Sequence, residues 1–381
     1  MENKIVKKNK VFLRSFGCQM NVRDSEVVKG LLLAQGFKLA DDEKSANIII
    51  FNTCSVRQHA EDKVWSALGK FAPEKIIGVI GCMAQNYKKE IFRRAPNVDI
   101  VCGTSNIDQL PKMIDEVIGK KHARIETLEK QRPEEIYHTG FWEDKKHAYV
   151  VISEGCDNYC TYCVVPNVRG RLRHRPIHEI LREINEAVKS GITHITLLGQ
   201  NVNSYASHVT RSTPHVTFID LLKKINEIEG VKEFWFMSSH PKDVNVEFLK
   251  TMAACDKLKK ILHLPIQSGS DRILKLMNRG YTAKRYLEIV DQYRSIVYNG
   301  QLSTDFIVGF PGETDEDFKK TYKLALSVSF DSAYIFKYSP RPNTKAMELK
   351  DDVALEVKKQ RHALLLELQK KTAHAKRKKT N

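Results

Sequence analysis

The chain has 381 residues, 42% hydrophobic and 28% charged, and its 62 Lys and Arg against 46 Asp and Glu leave a net charge of +16. That length gives two domains room for separate cores and excludes a small disulfide-stapled scaffold, while the basic excess points to an acidic partner, nucleic acid first, with a merely solubilising surface as the alternative. The opening MENKIVKKNK has no apolar run behind it, and no stretch approaches the roughly 18 apolar residues of a membrane helix, so the reading is a cytoplasmic protein with no membrane partner.

From residue 10 to about 118, short apolar runs alternate with amphipathic stretches. KVFLRSFG, NIIIFNT, KIIGVIG and NVDIVCG read as buried parallel strands, and DSEVVKGLLLAQGF and AEDKVWSALGKF as helices between them, which makes a doubly wound α/β domain. Cys18, Cys54 and Cys82 each fall just past one of these strands, at the carboxyl edge where open α/β sheets bind ligands. Buried small hydrophobes are the alternative for them, and the reading for Cys102 and Cys255.

Residues 119–146 lose the apolar period and read as a linker. A second alternation follows over 147–350, with strands expected at HAYVVISEG, THITLLG, EFWFMSS, KILHLP, STDFIVGF and SAYIFKY. PIHEILREINEAVKSG is an expected helix, with Pro176 suited to its first turn. Six βα units are too few to close an eight-stranded barrel, so the expectation is an open partial (βα)6 barrel with its working loops at the carboxyl ends of the strands. Residues 351–381 read as a helix running into a basic tail.

The first barrel loop, GCDNYCTYCVVPNVRGRLRHRP, places Cys156, Cys160 and Cys163 at C-x3-C-x2-C with no fourth cysteine nearby. In the cytosol such thiols are better read as metal or cluster ligands than as disulfides. Three thiolates on a four-iron cluster leave one iron open to a substrate, whereas a structural zinc site wants four ligands. Just beyond, Arg169, Arg171, Arg173 and Arg175 are placed for phosphate contacts, or else form an ordinary solvated loop. Gln200, Asn201, Gln267 and Ser268 fall at or past strand ends, within reach of a cofactor or serving as loop caps. Gly309 and Gly312 of GFPGET permit close backbone approach or simply a turn.

GCDNYCTYCVVP resembles the signature of radical S-adenosylmethionine enzymes, and GCQMN with NTCSVR resembles their methylthiotransferase branch. GCMAQ, LLGQNVN, SSHP, HLPIQSGSDR, DFIVGFPGET and SPRPNT agree in order and spacing, so the likeness runs from about residue 10 to about 370. The resemblance implies two 4Fe-4S clusters, one on Cys156, Cys160 and Cys163 that binds S-adenosylmethionine, and an auxiliary one on Cys18, Cys54 and Cys82 that carries or donates sulfur. It implies reductive cleavage to a 5′-deoxyadenosyl radical, hydrogen abstraction from an unactivated carbon, sulfur insertion and methylation by a second S-adenosylmethionine. Tyr162 is implied as the aromatic residue against the adenine, with packing beneath the loop as the other reading. A reducing electron-transfer protein and iron–sulfur assembly or sulfur-donor proteins are implied as partners of a monomer.

Gln19 and Met20 after the first cysteine favour the branch that converts N6-isopentenyladenosine beside the tRNA anticodon to its 2-methylthio derivative. Threonylcarbamoyladenosine, a ribosomal protein, and a non-catalytic iron–sulfur or RNA-binding remnant are the alternatives. The family's small β-rich RNA-binding domain is expected to be missing beyond the basic helix, its grip partly replaced by the +16 charge, the arginine loop and the lysine tail. Asn167 and Asn343 also depart from the family, which commonly has an aromatic residue and a glycine at those positions.

Overall fold

The computed structural model describes residues 9–56, 58–71, 74–120, 123–208 and 215–380. The first half runs β1 (Lys10–Phe16), α1 (Gln19–Ala34), β2 (Lys38–Leu39), β3 (Ile48–Thr53), α2 (Gln58–Leu68), β4 (Ile76–Ile80), α3 (Cys82–Tyr87), α4 (Glu90–Arg94), β5 (Ile100–Cys102), α5 (Leu110–Lys120) and β6 (Arg124–Glu126). All six strands are parallel, in the order β2-β1-β3-β4-β5-β6. Every residue of β3 is buried, as a strand covered on both faces requires. Val27, Val28 and Leu32 of α1 and Leu110 and Ile114 of α5 cover Ile48, Ile50, Ile80 and Ile100 on one face. Val64, Leu68, Met83 and Ile91 cover Ile49, Phe51, Val79 and Val101 on the other. The chain leaves β1 for the edge at β2 and returns to β3 on the far side of β1. The switch point of this doubly wound sheet therefore lies between β1 and β3.

Strands β2 and β6, two and three residues long, are too short to show a period in sequence. The stretch 119–146 contains β6 and a 3-10 turn at Glu134–His138, and it buries Arg132, Ile136, Tyr137 and Trp142.

The second half runs β7 (His147–Val151), β8 (Ser153–Glu154), α6 (Val165–Arg169), β9 (Arg173–His174), α7 (Ile177–Lys189), β10 (His194–Leu198), β11 (Ala206–His208), β12 (His215–Thr217), α8 (Phe218–Glu227), β13 (Glu233–Phe236), α9 (Val246–Ala254), β14 (Ile261–His263), α10 (Asp271–Leu276), α11 (Ala283–Ile296), β15 (Gln301–Val308), α12 (Asp315–Val328), β16 (Ser332–Lys337) and α13 (Leu355–Thr380). Strands β7, β10 and β13 form one parallel sheet and β14, β15 and β16 another. A bridge between Phe234 and Leu258 joins them, so six strands in chain order make one open arc, the expected partial barrel. Helices cover its outside: Ile177, Ile180, Ile184 and Ala187 of α7, spaced 3, 4 and 3, pack with Ala148, Val150, Ile195 and Leu197. Pro176 precedes α7 as its N-cap, one position before the first turn. Capping boxes at Thr217/Asp220 and Thr314/Asp317 open α8 and α12. Half of the basic tail read from the sequence, Arg377, Lys378 and Lys379, has side chains outside the described set.

The two halves share a core. Tyr149, Val151 and Leu198 of the barrel strands pack into the apolar cluster built around α1. At the carboxyl edges, Cys82 of α3 packs with Val164 and Val168 of the first barrel loop, so the two edges meet.

Candidate functional site

Cys18 is the N-cap of α1, Cys54 follows β3, and Cys82 opens α3. The switch point is flanked by the first two, and the third sits one strand over. Gly17 allows this approach, because a Cβ there would stand 2.7 Å from Cys54 Cβ. The hydrogen bond from Cys54 holds the Cys18 thiol down at about 6 against its burial, with Arg169 adding to the effect. Donating that bond, and burial with it, pushes Cys54 up; burial likewise raises Cys82, with Arg169 opposing. Cys102 is fully buried, and its Sγ donates to the Asn106 carbonyl at 3.2 Å, which makes it a core thiol.

In the barrel, the loop carrying Cys156, Cys160 and Cys163 leaves the β8–β9 hairpin. Gly155, at φ 76°, passes so close to the Arg171 carbonyl that any Cβ would collide with it. The Thr161 backbone N–H donates to Met277 at 3.1 Å and its Oγ1 to Leu276 at 2.9 Å, while the Ala346 N–H donates to the Thr161 carbonyl at 2.8 Å. Burial raises the thiols of Cys156 and Cys163, the latter to about 12. Tyr162 rests against the cluster of Ile273, Met277, Phe310, Tyr338 and Ala346. Arg279, which no spacing in the sequence singles out, is buried here: its Nη1 lies 3.3 Å from Cys160 Sγ and 3.4 Å from Tyr162 Oη, and its Nη2 donates to Pro265 at 2.9 Å.

The barrel mouth collects polar atoms that have no hydrogen-bond partner among the described residues. Ser153 Oγ follows β7, Gln200 Oε1 and Asn201 Oδ1 follow β10, Ser239 Oγ and His240 Nε2 follow β13, and Gln267 Oε1 follows β14. Four consecutive strand ends thus present buried, unsatisfied donors and acceptors, an arrangement that calls for a polar ligand. Asn201 is oriented by donating to Asp243 at 2.7 Å, and Gln267 sits at φ 71°. Ser268 is placed differently: it is fully buried and bonded to Thr321 of α12 at 3.2 Å and to the Ser270 N–H at 3.2 Å. Gly309 lies at φ 69° against Lys358 of α13, with its N–H donating to Glu313 at 3.0 Å.

The arginine loop requires a correction. Arg169 and Arg175 are each 4% exposed and do not reach solvent to meet phosphate. Arg169 pairs with Asp24 at 2.7 Å, and Arg175 with Glu134 at 2.7 Å and Glu183 at 2.5 Å, its guanidinium lying over the Tyr137 ring. Arg132 joins Asp24 at 2.7 Å to Glu154 at 2.8 Å, and Arg23 reaches Glu183 at 2.9 Å. These buried ion pairs join α1 and the 119–146 stretch to the barrel, and removing one partner would leave a buried charge uncompensated. Arg171 and Arg173 stay at the surface, facing Asp157 and Glu129. The two departures from the family pattern meet: Asn167 Nδ2 donates to the Asn343 carbonyl, and Asn343 takes the left-handed φ of 64° that a glycine there would favour.

Among the described residues, no three His, Cys, Asp or Glu side chains converge on a single metal ion, and no helix is long and apolar enough to cross a membrane. The Radical SAM superfamily model matches residues 150–325, and that of the uncharacterized protein family UPF0004 matches residues 10–103. A tRNA-2-methylthio-N(6)-dimethylallyladenosine synthase of Clostridium tetani (strain Massachusetts / E88) is 44% identical over 98% of this chain and 83% of its own length. The enzyme of that name from Sulfurihydrogenibium sp. (strain YO3AOP1) is 44% identical over 89% of this chain and 79% of its own. Among solved structures, the radical S-adenosylmethionine methyltransferase TsrM from Kitasatospora setae, with cobalamin and a [4Fe-4S] cluster bound, superposes with a TM-score of 0.61. It is 13% identical, covering 89% of this chain and 77% of that one, a likeness of fold alone.

Proposed function

This chain belongs to the radical S-adenosylmethionine family of tRNA-2-methylthio-N(6)-dimethylallyladenosine synthases, and from that premise we propose how its residues serve that activity. It is a tRNA methylthiotransferase that converts N6-isopentenyladenosine beside the anticodon to the 2-methylthio derivative. We assign one 4Fe-4S cluster to Cys156, Cys160 and Cys163 and a second to Cys18, Cys54 and Cys82. When bound, these clusters supply the electron that cleaves S-adenosylmethionine and the sulfur that is inserted. Neither set contains a fourth cysteine, which suits a cluster that keeps one iron open.

The observation that carries the assignment is the row of unsatisfied polar atoms on Ser153, Gln200, Asn201, Ser239, His240 and Gln267 beside the cysteine loop. S-adenosylmethionine brings an amino group, a carboxylate, ribose hydroxyls and a purine edge, enough to partner them. Arg279 donates to the Cys160 sulfur, and Tyr162 fixes the loop from below. The buried ion pairs from Asp24 to Glu183 hold the two cysteine sets at a fixed separation and keep water from the seam.

The proposed division is 10–118 for the auxiliary-cluster domain, 119–146 for the connection, 147–350 for the radical domain and 351–381 for the C-terminal helix. A reducing electron-transfer protein and an iron–sulfur assembly or sulfur-donor protein are the further partners, in the cytoplasm and with the chain as a monomer. Anaerobic reconstitution followed by dithionite, S-adenosylmethionine and isopentenylated tRNA tests the reading. About eight irons per chain and a methylthio gain on the adenosine are expected, and fewer than about four irons refutes it.

A further inference from the structure

On the inner face of the arc, register pairs His263 with Ser303, Asp305 with Tyr334 and Ile307 with Phe336. Paired residues point to the same side of a sheet. The opposite side carries Ile335, buried with Leu365 and Leu368 of α13, so Tyr334 and Phe336 face the lumen. They are 57% and 41% exposed. Single exposed hydrophobics need no explanation, but two aromatic rings alternating on one strand, facing inward, form a surface.

That surface carries polar groups and adjoins the candidate site. His263 meets the Tyr334 ring edge-on at 6.0 Å, its Nδ1 lies 2.9 Å from Ser303 Oγ, and its Nε2 lies 3.5 Å from Asp305 Oδ2. Ile307, beside Phe336, packs on the same Phe310 and Met277 cluster that supports Tyr162 of the cysteine loop. The platform therefore lies one strand away from the residues beneath the proposed cluster. A base extruded from an RNA loop needs an aromatic face and a partner for its exocyclic nitrogen, and the basic charge of the chain suits the strand it comes from.

Resting on the tRNA reading above, we propose that Tyr334 and Phe336 form the stacking platform for the target purine. Asp305, oriented by His263, accepts from the adenine N6–H, and Phe336 with Ile307 receives the apolar N6 substituent.

The test compares two anticodon stem-loops on the reconstituted protein, one bearing N6-isopentenyladenosine and one abasic at that position. The wild type should prefer the first, and Tyr334→Leu and Phe336→Leu should each cut that preference about tenfold, while Tyr334→Trp keeps it. Full preference in both Leu variants overturns the platform. An equal loss on both stem-loops also overturns it, because general damage does not discriminate between them. A wild type that neither prefers the modified loop nor methylthiolates it sinks the tRNA reading together with the platform. A wild type that methylthiolates while its Leu variants still discriminate sinks the platform alone.

Discussion

Asp24→Asn tests whether the seam between the two domains is held by buried charge. Asp24 is 1% exposed, and its two oxygens accept from Arg132 and Arg169, each at 2.7 Å. Burial pushes the carboxyl up, and the two guanidiniums more than offset it, leaving it below its ordinary value. Asparagine keeps the volume and removes the charge. Arg132 then retains Glu154 at 2.8 Å, whereas Arg169 retains it only at 3.5 Å. Leaving a buried charge short of its partner costs about 3–5 kcal/mol. With an unfolding entropy of about 2.1 cal/mol/K per residue over 381 residues, that corresponds to about 4–6 °C in the melting midpoint. The assay is thermal unfolding of the cluster-free protein at pH 7. Because the folded carboxyl sits below 3.8, its contribution is complete above that pH and lost as pH falls through the folded value, so the deficit of the variant should narrow below about pH 4. A midpoint within about 1 °C of wild type would refute the reasoning.

Cys54→Ala and Cys160→Ala should each lower reconstituted iron from about eight to about four, and only Cys160→Ala should abolish 5′-deoxyadenosine formation; iron counting and product chromatography check both. Arg279→Lys exchanges a fork held on Cys160, Tyr162 and Pro265 for a point charge, so the cluster on that loop should become harder to reduce, as read by a redox titration followed by electron paramagnetic resonance. Burial, with Arg279 and Lys242 adding, pushes His240 down to about 2, so below pH 6.5 the unfolded chain takes up a proton that the folded one refuses. Stability therefore falls with acidification, by about 2 kcal/mol at pH 5, and His240→Gln should abolish that portion in urea midpoints taken at pH 7.5 and pH 5.

Much of the architecture is visible in the one-dimensional pattern. A short, β-branched apolar run such as IIIFNT fits a strand buried on both faces, and the alternation of such runs with 3, 4, 3 spaced stretches such as that of α7 gives two parallel α/β units. The six cysteines are equally visible, because C-x3-C-x2-C is local and the other three each follow a strand. Strand ends carry Gln200, Asn201 and Gln267 to the mouth, but Ser268, one residue on, turns to Thr321 instead, since neighbours beyond a strand end need not share a direction.

What sequence determined, then, is everything governed by local period and spacing: the two sheets, the order of the loops and the place of each thiol after its strand. Tertiary structure alone decided which charges are buried. Arg169 and Arg171 look alike in RGRLRHRP, yet Arg169 is matched by Asp24, 145 residues earlier, while Arg171 faces solvent. Arg279, His240, Tyr334 and Asp305 likewise acquire their neighbours only when the arc forms. A charge in sequence carries no record of its counter-charge. Burial depends on whether that partner arrives, and this is settled only by packing two distant segments against each other.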